Sequence, residues 1–212
     1  MDCMSLSTNK KKSPWPALQV ESDDGRRQRS GRSRRQIIEA LFELMREGEM
    51  TPTAVAVADR ANVGLRTVFR HFEDMESIFE EMTEDLNAVM MPRVIAPLKG
   101  ETWQDKLMEL VERNARLYED VFPMQVALII RRFQSEFLTG QYKREVKILR
   151  SALKGFLPKR VVQDRTLFAA IEVNLTFATW RRLRQDQNLS VANSTETLKV
   201  IMRALIAQAD VD

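Results

Sequence analysis

The chain has 212 residues, a formal net charge of +3 and 44% hydrophobic against 30% charged residues, enough apolar material for one good core and a small second one. One cysteine, Cys3, excludes a disulfide framework and fits a reducing cytoplasm. The only histidine, His71, leaves no Cys/His cluster with metal-ligand spacing, so no metal or cofactor is expected. The longest apolar run, Met124–Ile130, is far short of the ~20 residues that span a bilayer, and Lys10–Lys12 ahead of a Pro-Trp-Pro segment do not form a secretory signal.

Charge is unevenly placed. Residues 1–72 hold 13 Lys/Arg against 9 Asp/Glu, and Gly25–Arg35 contains six arginines and no acid. Such a run is either a solvated arm or a contact for an anionic partner. Residues 1–29 lack a sustained apolar period and are expected to form a disordered basic extension. The first helix, from about residue 30 to Glu47, carries Ile37, Ile38, Leu41, Phe42, Leu44 and Met45 as its stripe, with Gly48 where a C-terminal glycine belongs. Thr51 or Thr53 caps a second helix, whose small apolar residues Ala54, Val57, Ala58 and Ala61 follow the i, i+3, i+4, i+7 spacing of one buried face. Asn62, Val63 and Gly64 read as a tight turn. The third helix, Leu65–Phe72, turns Val68 and Phe72 inward and leaves Arg66, Thr67, Phe69, Arg70 and His71 pointing elsewhere. Helix, tight turn and basic second helix form the arrangement that lays the second helix in a DNA major groove.

These residues resemble the DNA-binding segment of the TetR family of bacterial transcriptional regulators. The likeness is carried by Val57-Ala58, Ala61-Asn62-Val63, Thr67–Phe72 and Glu73–Ile78, aligned without a gap to the family pattern IA..AGVS.GTLYRHF..K..L. Asn62 stands for the usual turn glycine, Gly64 for the capping serine and Arg66 for a glycine. Phe69 and Met75 replace a tyrosine and a lysine that commonly touch phosphate, so Arg66 and Arg70 are expected to supply part of that contact. The resemblance implies double-stranded DNA as partner, with Arg34, Arg35, Thr53, Leu65, Arg66, Thr67, Phe69, Arg70 and His71 as candidate contacts, and a head spanning residues 30–75.

Further along, a fourth helix is expected to Met91, stopped by Pro92. The fifth runs from Thr102 through Tyr118, the sixth from Phe122-Pro123 to Phe137 with Gly140 closing it, and the seventh over 141–156. The eighth is expected over 164–187 and the ninth over 194–209. Nothing alternates with period two, so the fold class is all-α with about nine helices. The resemblance, which here rests on helix count and order and on Trp180–Ser190, implies that residues 76–212 bind an effector and dimerise.

Helices eight and nine hold more apolar positions than one face hides, so two antiparallel pairs are expected to bury Ile171, Leu175, Leu198, Ile201 and Leu205 in a homodimer, unless all of them pack into the monomer core. Asn174 falls on an inner stripe, and a buried amide needs a ligand, a neighbouring helix or water as partner. Asn114, Tyr118, Phe133, Phe137, Phe168 and Phe177 have the make-up of a small-molecule site or of plain core.

An enzyme would need an acid-base or nucleophile set. One histidine on the recognition helix and one cysteine in the tail offer little of it, and no GxxxxGK[ST] or GxGxxG loop is present. No catalytic residue is expected. The expectation is a ligand-responsive repressor binding a pseudo-palindromic operator as a dimer, with an activator or a helical adaptor as alternatives.

Overall fold

The computed structural model describes residues 25–210, with side chains from Gly31 onward, and these residues are all-helical. Four helices build the head: α1 (Gly25–Arg46), α2 (Ala54–Arg60), α3 (Leu65–His71) and α4 (Met75–Val94). The expected stripe of α1 is buried throughout, and Gly48 closes the helix at φ +101°, a conformation L side chains rarely adopt. Because α1 starts at Gly25, it reaches back over five residues of the stretch expected to be disordered; the rest of that extension, Cys3 included, lies outside the described residues.

The C-terminal half departs from the expected helix boundaries. The fifth and sixth helices are one continuous element, α5 (Trp103–Arg132), 30 residues and about 45 Å long, with Pro123 inside it. Proline forfeits the N–H that would reach the Glu119 carbonyl, a cost of about 3 kcal/mol. Burial of Val121, Met124 and Ala127 around it offsets that cost at about 1.5 to 3 kcal/mol for each large side chain. The break falls instead at Phe133–Ser135, where the Ser135 hydroxyl accepts the Leu138 N–H at 3.1 Å and starts α6 (Glu136–Phe156). Gly140, expected to end a helix, lies within the first turns of α6.

A short α7 (Lys159–Gln163) follows Pro158. The expected eighth helix is divided into α8 (Arg165–Asn174), α9 (Phe177–Arg181) and a π-helical turn (Arg182–Asp186). Thr176 makes the interruption by capping α9, its Oγ1 accepting the Thr179 N–H at 3.4 Å. Finally α10 (Val191–Ala209) begins three residues earlier than expected, capped by Ser190. Among the described residues this gives ten α-helices.

Two cores meet along α5. Its second half lays Leu117, Val121, Met124 and Ala127 into the core of the head, against α1 and α4, while Leu107, Val111 and Ala115 join α8, α9 and α10 in a second core. The head is therefore completed by a helix from beyond its expected boundary at residue 75. Arg131, near the end of α5, places its guanidinium 3.9 Å above the Phe79 ring and 3.7 Å from Glu76, both on the opening turns of α4.

Candidate nucleic-acid interface

The α2–α3 unit is built as its residues dictate. The Thr53 hydroxyl accepts the Ala56 N–H at 3.2 Å and caps α2, whose Val57 and Ala58 are buried. Asn62 takes a left-handed φ of +53°, and the Val63 N–H reaches back to the Ala58 carbonyl at 3.0 Å, closing α2 and turning the chain. Gly64 offers α3 no side-chain cap. Val68 and Phe72 are buried under α3, which turns Leu65, Arg66, Phe69 and Arg70 to solvent. Thr67 is half-buried beside them. Among the described residues neither Arg66 nor Arg70 has an ion pair, so two free guanidinium groups and an aromatic ring share one face of one short helix. That combination suits phosphate and base edges, because arginine donates bidentately to both.

Three of the candidate contacts lie elsewhere. Arg34 is held inside the head: Nε donates to Glu81 Oε1 at 2.9 Å, Nη2 to Glu81 Oε2 and Nη1 to the His71 carbonyl, while its guanidinium sits 4.2 Å above the Phe72 ring. It ties α1 to the end of α3 and to α4, with all three of its guanidinium nitrogens engaged in these contacts. Arg35 turns toward α4, where it bears electrostatically on Asp85, and its Nη1 is buried. His71 ends α3 with Nε2 buried, and burial, Arg70 and Arg34 all push its pKa down, so it is neutral at pH 7. The sequence gives no sign of Arg34's role, because its partner stands 47 residues away.

In the C-terminal half the structure gathers Asn114, Tyr118 and Phe177 and separates the other candidate lining residues. Asn114 Nδ2 and Tyr118 Oη donate to the Leu175 carbonyl at 3.1 and 2.6 Å, gripping the α8–α9 break. Phe177 meets Tyr118 and Phe122 edge-on, with centroids 5.5 and 5.2 Å apart. Phe168 is buried, with Arg150 and Lys154 of α6 over its ring. Asn174 is satisfied by its own helix, donating to Ala170 O at 2.8 Å. Phe137 is half-buried at the start of α6, and Phe133 is 77% exposed, being past the end of α5. One group went unread in the sequence: Glu119 accepts from Trp180 Nε1 and Arg184 Nε, both at 2.9 Å, tying α5 to α9 and the π-helical turn.

The candidate dimer residues divide. Ile171, Leu175 and Leu198 are core residues of the single chain, the alternative left open for them, and Ile201 and Leu205 pack partly against the same core and keep part of their surface exposed. The outward faces of α8 and α10 leave Val173 and Val200 at 55% and 56% exposure.

Solved structures with this arrangement include a transcriptional regulator from Rhodococcus sp. Rha1, with a TM-score of 0.65 and 17% identity over 85% of this chain and 99% of that one. The chain has the fold of TetR-type regulators. A protein from Rhodococcus sp. assigned to that family matches with a TM-score of 0.57 and 16% identity over 82% of this chain and 98% of its own. A Clostridium perfringens protein assigned as a fatty acid metabolism regulator matches with a TM-score of 0.57 and 15% identity over 79% and 96%. No family model and no curated protein matches the sequence.

Proposed function

We propose that the protein is a sequence-specific DNA-binding transcriptional regulator, a ligand-responsive repressor that acts as a homodimer and has no catalytic role. The observation that carries this reading is the face of α3: Arg66, Phe69 and Arg70 project to solvent from a helix-turn-helix whose opposite face, Val57, Ala58, Val68 and Phe72, is buried. Among the described residues no helix is long and apolar enough to cross a membrane, and a DNA-binding role puts the protein in the cytoplasm.

One seven-residue recognition helix reads only a few base pairs, so selectivity needs two heads held about one DNA turn apart. The outward faces of α8 and α10 are our candidate for the joint. Val173 and Val200 are exposed there, with the small residues Ala169 and Ala204 beside them, a surface that allows close helix approach. Coupling to an effector would pass through α5, which shares its side chains between the head core and the core of the C-terminal half. A ligand that shifts α5 or α4 then changes the separation of the two heads.

The test is fluorescence anisotropy with labelled DNA from around the coding region, over a salt series. Selective, salt-dependent binding by a dimer is the expected result; equal affinity for unrelated DNA would overturn the reading.

A further inference from the structure

The outward side of α3 carries two parallel rows of side chains. Residues four apart on a helix stand on one face, so Leu65 and Phe69 form one row and Arg66 and Arg70 the next, about 100° round the axis. All four are exposed, Leu65 at 41% and Phe69 at 49%. Val68 and Phe72 hold the opposite side of α3 in the core of the head, which fixes both rows toward solvent.

An exposed apolar side chain by itself is ordinary surface. What sets this pair apart is the chemistry of the helix that carries it. Helix α3 holds no Asn, Gln, Asp or Glu. It therefore lacks the amide that pairs bidentately with adenine and the carboxylate that accepts from the cytosine amino group. Thr67, the other polar side chain of the first turn, is half-buried. The outward side is left with two guanidinium groups, neither in an ion pair among the described residues, and two apolar groups that have no hydrogen-bonding atom. Guanine O6 and N7 match the guanidinium of Arg66, on the first turn, where base edges are reached. The apolar row has one counterpart in a major groove, because the C5-methyl of thymine is the apolar group that a base pair displays there. Set against any other base edge, a leucyl or phenyl group strips water from polar atoms and returns no hydrogen bond.

Resting on the DNA-binding reading above, we propose that Leu65 and Phe69 select thymine methyl groups beside a guanine read by Arg66. Phe69 stands three residues from Arg66 and four from Leu65, separations of about 5 to 6 Å on a helix surface. Base pairs rise by about 3.4 Å, so the thymine lies within about two base pairs of the guanine in each half-site. Specificity at this face is thus divided between hydrogen bonding to one base and apolar contact with another.

Chemically edited DNA tests the division. Full-length protein would select a site from random sequence. That site would be remade with each thymine in turn replaced by deoxyuridine, which lacks only the methyl, and each guanine by 7-deazaguanine, which lacks N7. Anisotropy should find, near a guanine sensitive to the loss of N7, a thymine where deoxyuridine weakens wild-type binding about three- to fivefold, the worth of one buried methyl. The double variant Leu65→Ala/Phe69→Ala, at two exposed positions, should melt like the wild type and bind the thymine and deoxyuridine sites equally, while still preferring guanine to 7-deazaguanine. Wild-type affinity indifferent to deoxyuridine at every thymine, or a double variant that discriminates as the wild type does, would overturn the proposal. The wild-type scan decides by itself if the double variant unfolds. A protein that selects no sequence defeats the regulator reading, whereas one that selects a sequence without sensing the methyl groups defeats this inference alone.

Discussion

Replacing Arg34 by methionine separates structural arginines from DNA-contacting ones. Methionine keeps much of the apolar stem and removes the charge, the donors and the guanidinium plane. Arg34 and Glu81 are 42% and 28% exposed at their side chains, so their ion pair contributes at most about 1 kcal/mol. The donation to the His71 carbonyl adds about 1 kcal/mol, and the guanidinium over Phe72 about 0.5 to 1 kcal/mol. Arg34→Met should therefore destabilise the protein by about 2 to 3 kcal/mol in urea denaturation, with operator affinity falling only as the head loosens. The salt slope of DNA binding should stay that of the wild type, because no phosphate contact is lost. Arg70→Ala should do the opposite, leaving stability nearly unchanged and lowering the slope by about one unit. An Arg34→Met protein of wild-type stability with a reduced slope would refute the assignment of Arg34 to the α1–α3–α4 junction.

Met124→Ala empties a buried position where α5 enters the head core, and should cost about 2 to 5 kcal/mol by denaturation while also weakening DNA binding, since α1 and α4 lean on it. Val200→Glu adds a charge to the outward face of α10 and should shift the protein toward monomer in sedimentation with its helicity intact; a dimer that persists would place the joint elsewhere. His71 has its folded pKa lowered, so the unfolded chain binds the proton first and its stabilising contribution, present above pH 6.5, is lost as pH falls through the folded value. Thermal melts at pH 7.5 and 5.5 should accordingly show a smaller acid loss in His71→Gln than in the wild type, and equal losses would remove His71 from the account.

How far the sequence could be read depended on whether the deciding contact was local. The α2–α3 unit was readable because spacing, the left-handed Asn62 and the Thr53 cap all lie within one short segment. Pro123 misled because the burial that holds α5 together comes from α1 and α4, far away in the chain. Ser135-Glu136 carried a local start signal for α6 that the nearby apolar run concealed. Arg34 was beyond reach, since nothing around residue 34 announces Glu81. Ile171 and Leu198 show a different limit: an apolar stripe says that a face is covered, not whether its own chain or a second copy covers it.

The central claim is that the outward face of α3 reads DNA sequence, and Arg66 tests it most directly. Wild-type protein and Arg66→Ala would be titrated onto a site selected from random DNA and onto a shuffled copy of it, at one fixed salt concentration. The account predicts a clear wild-type preference for the selected site and a loss of about 1 to 3 kcal/mol on that site in the variant, with far less on the shuffled one. Equal wild-type affinity for both DNAs, or an equal loss on both when Arg66 is removed, would contradict it.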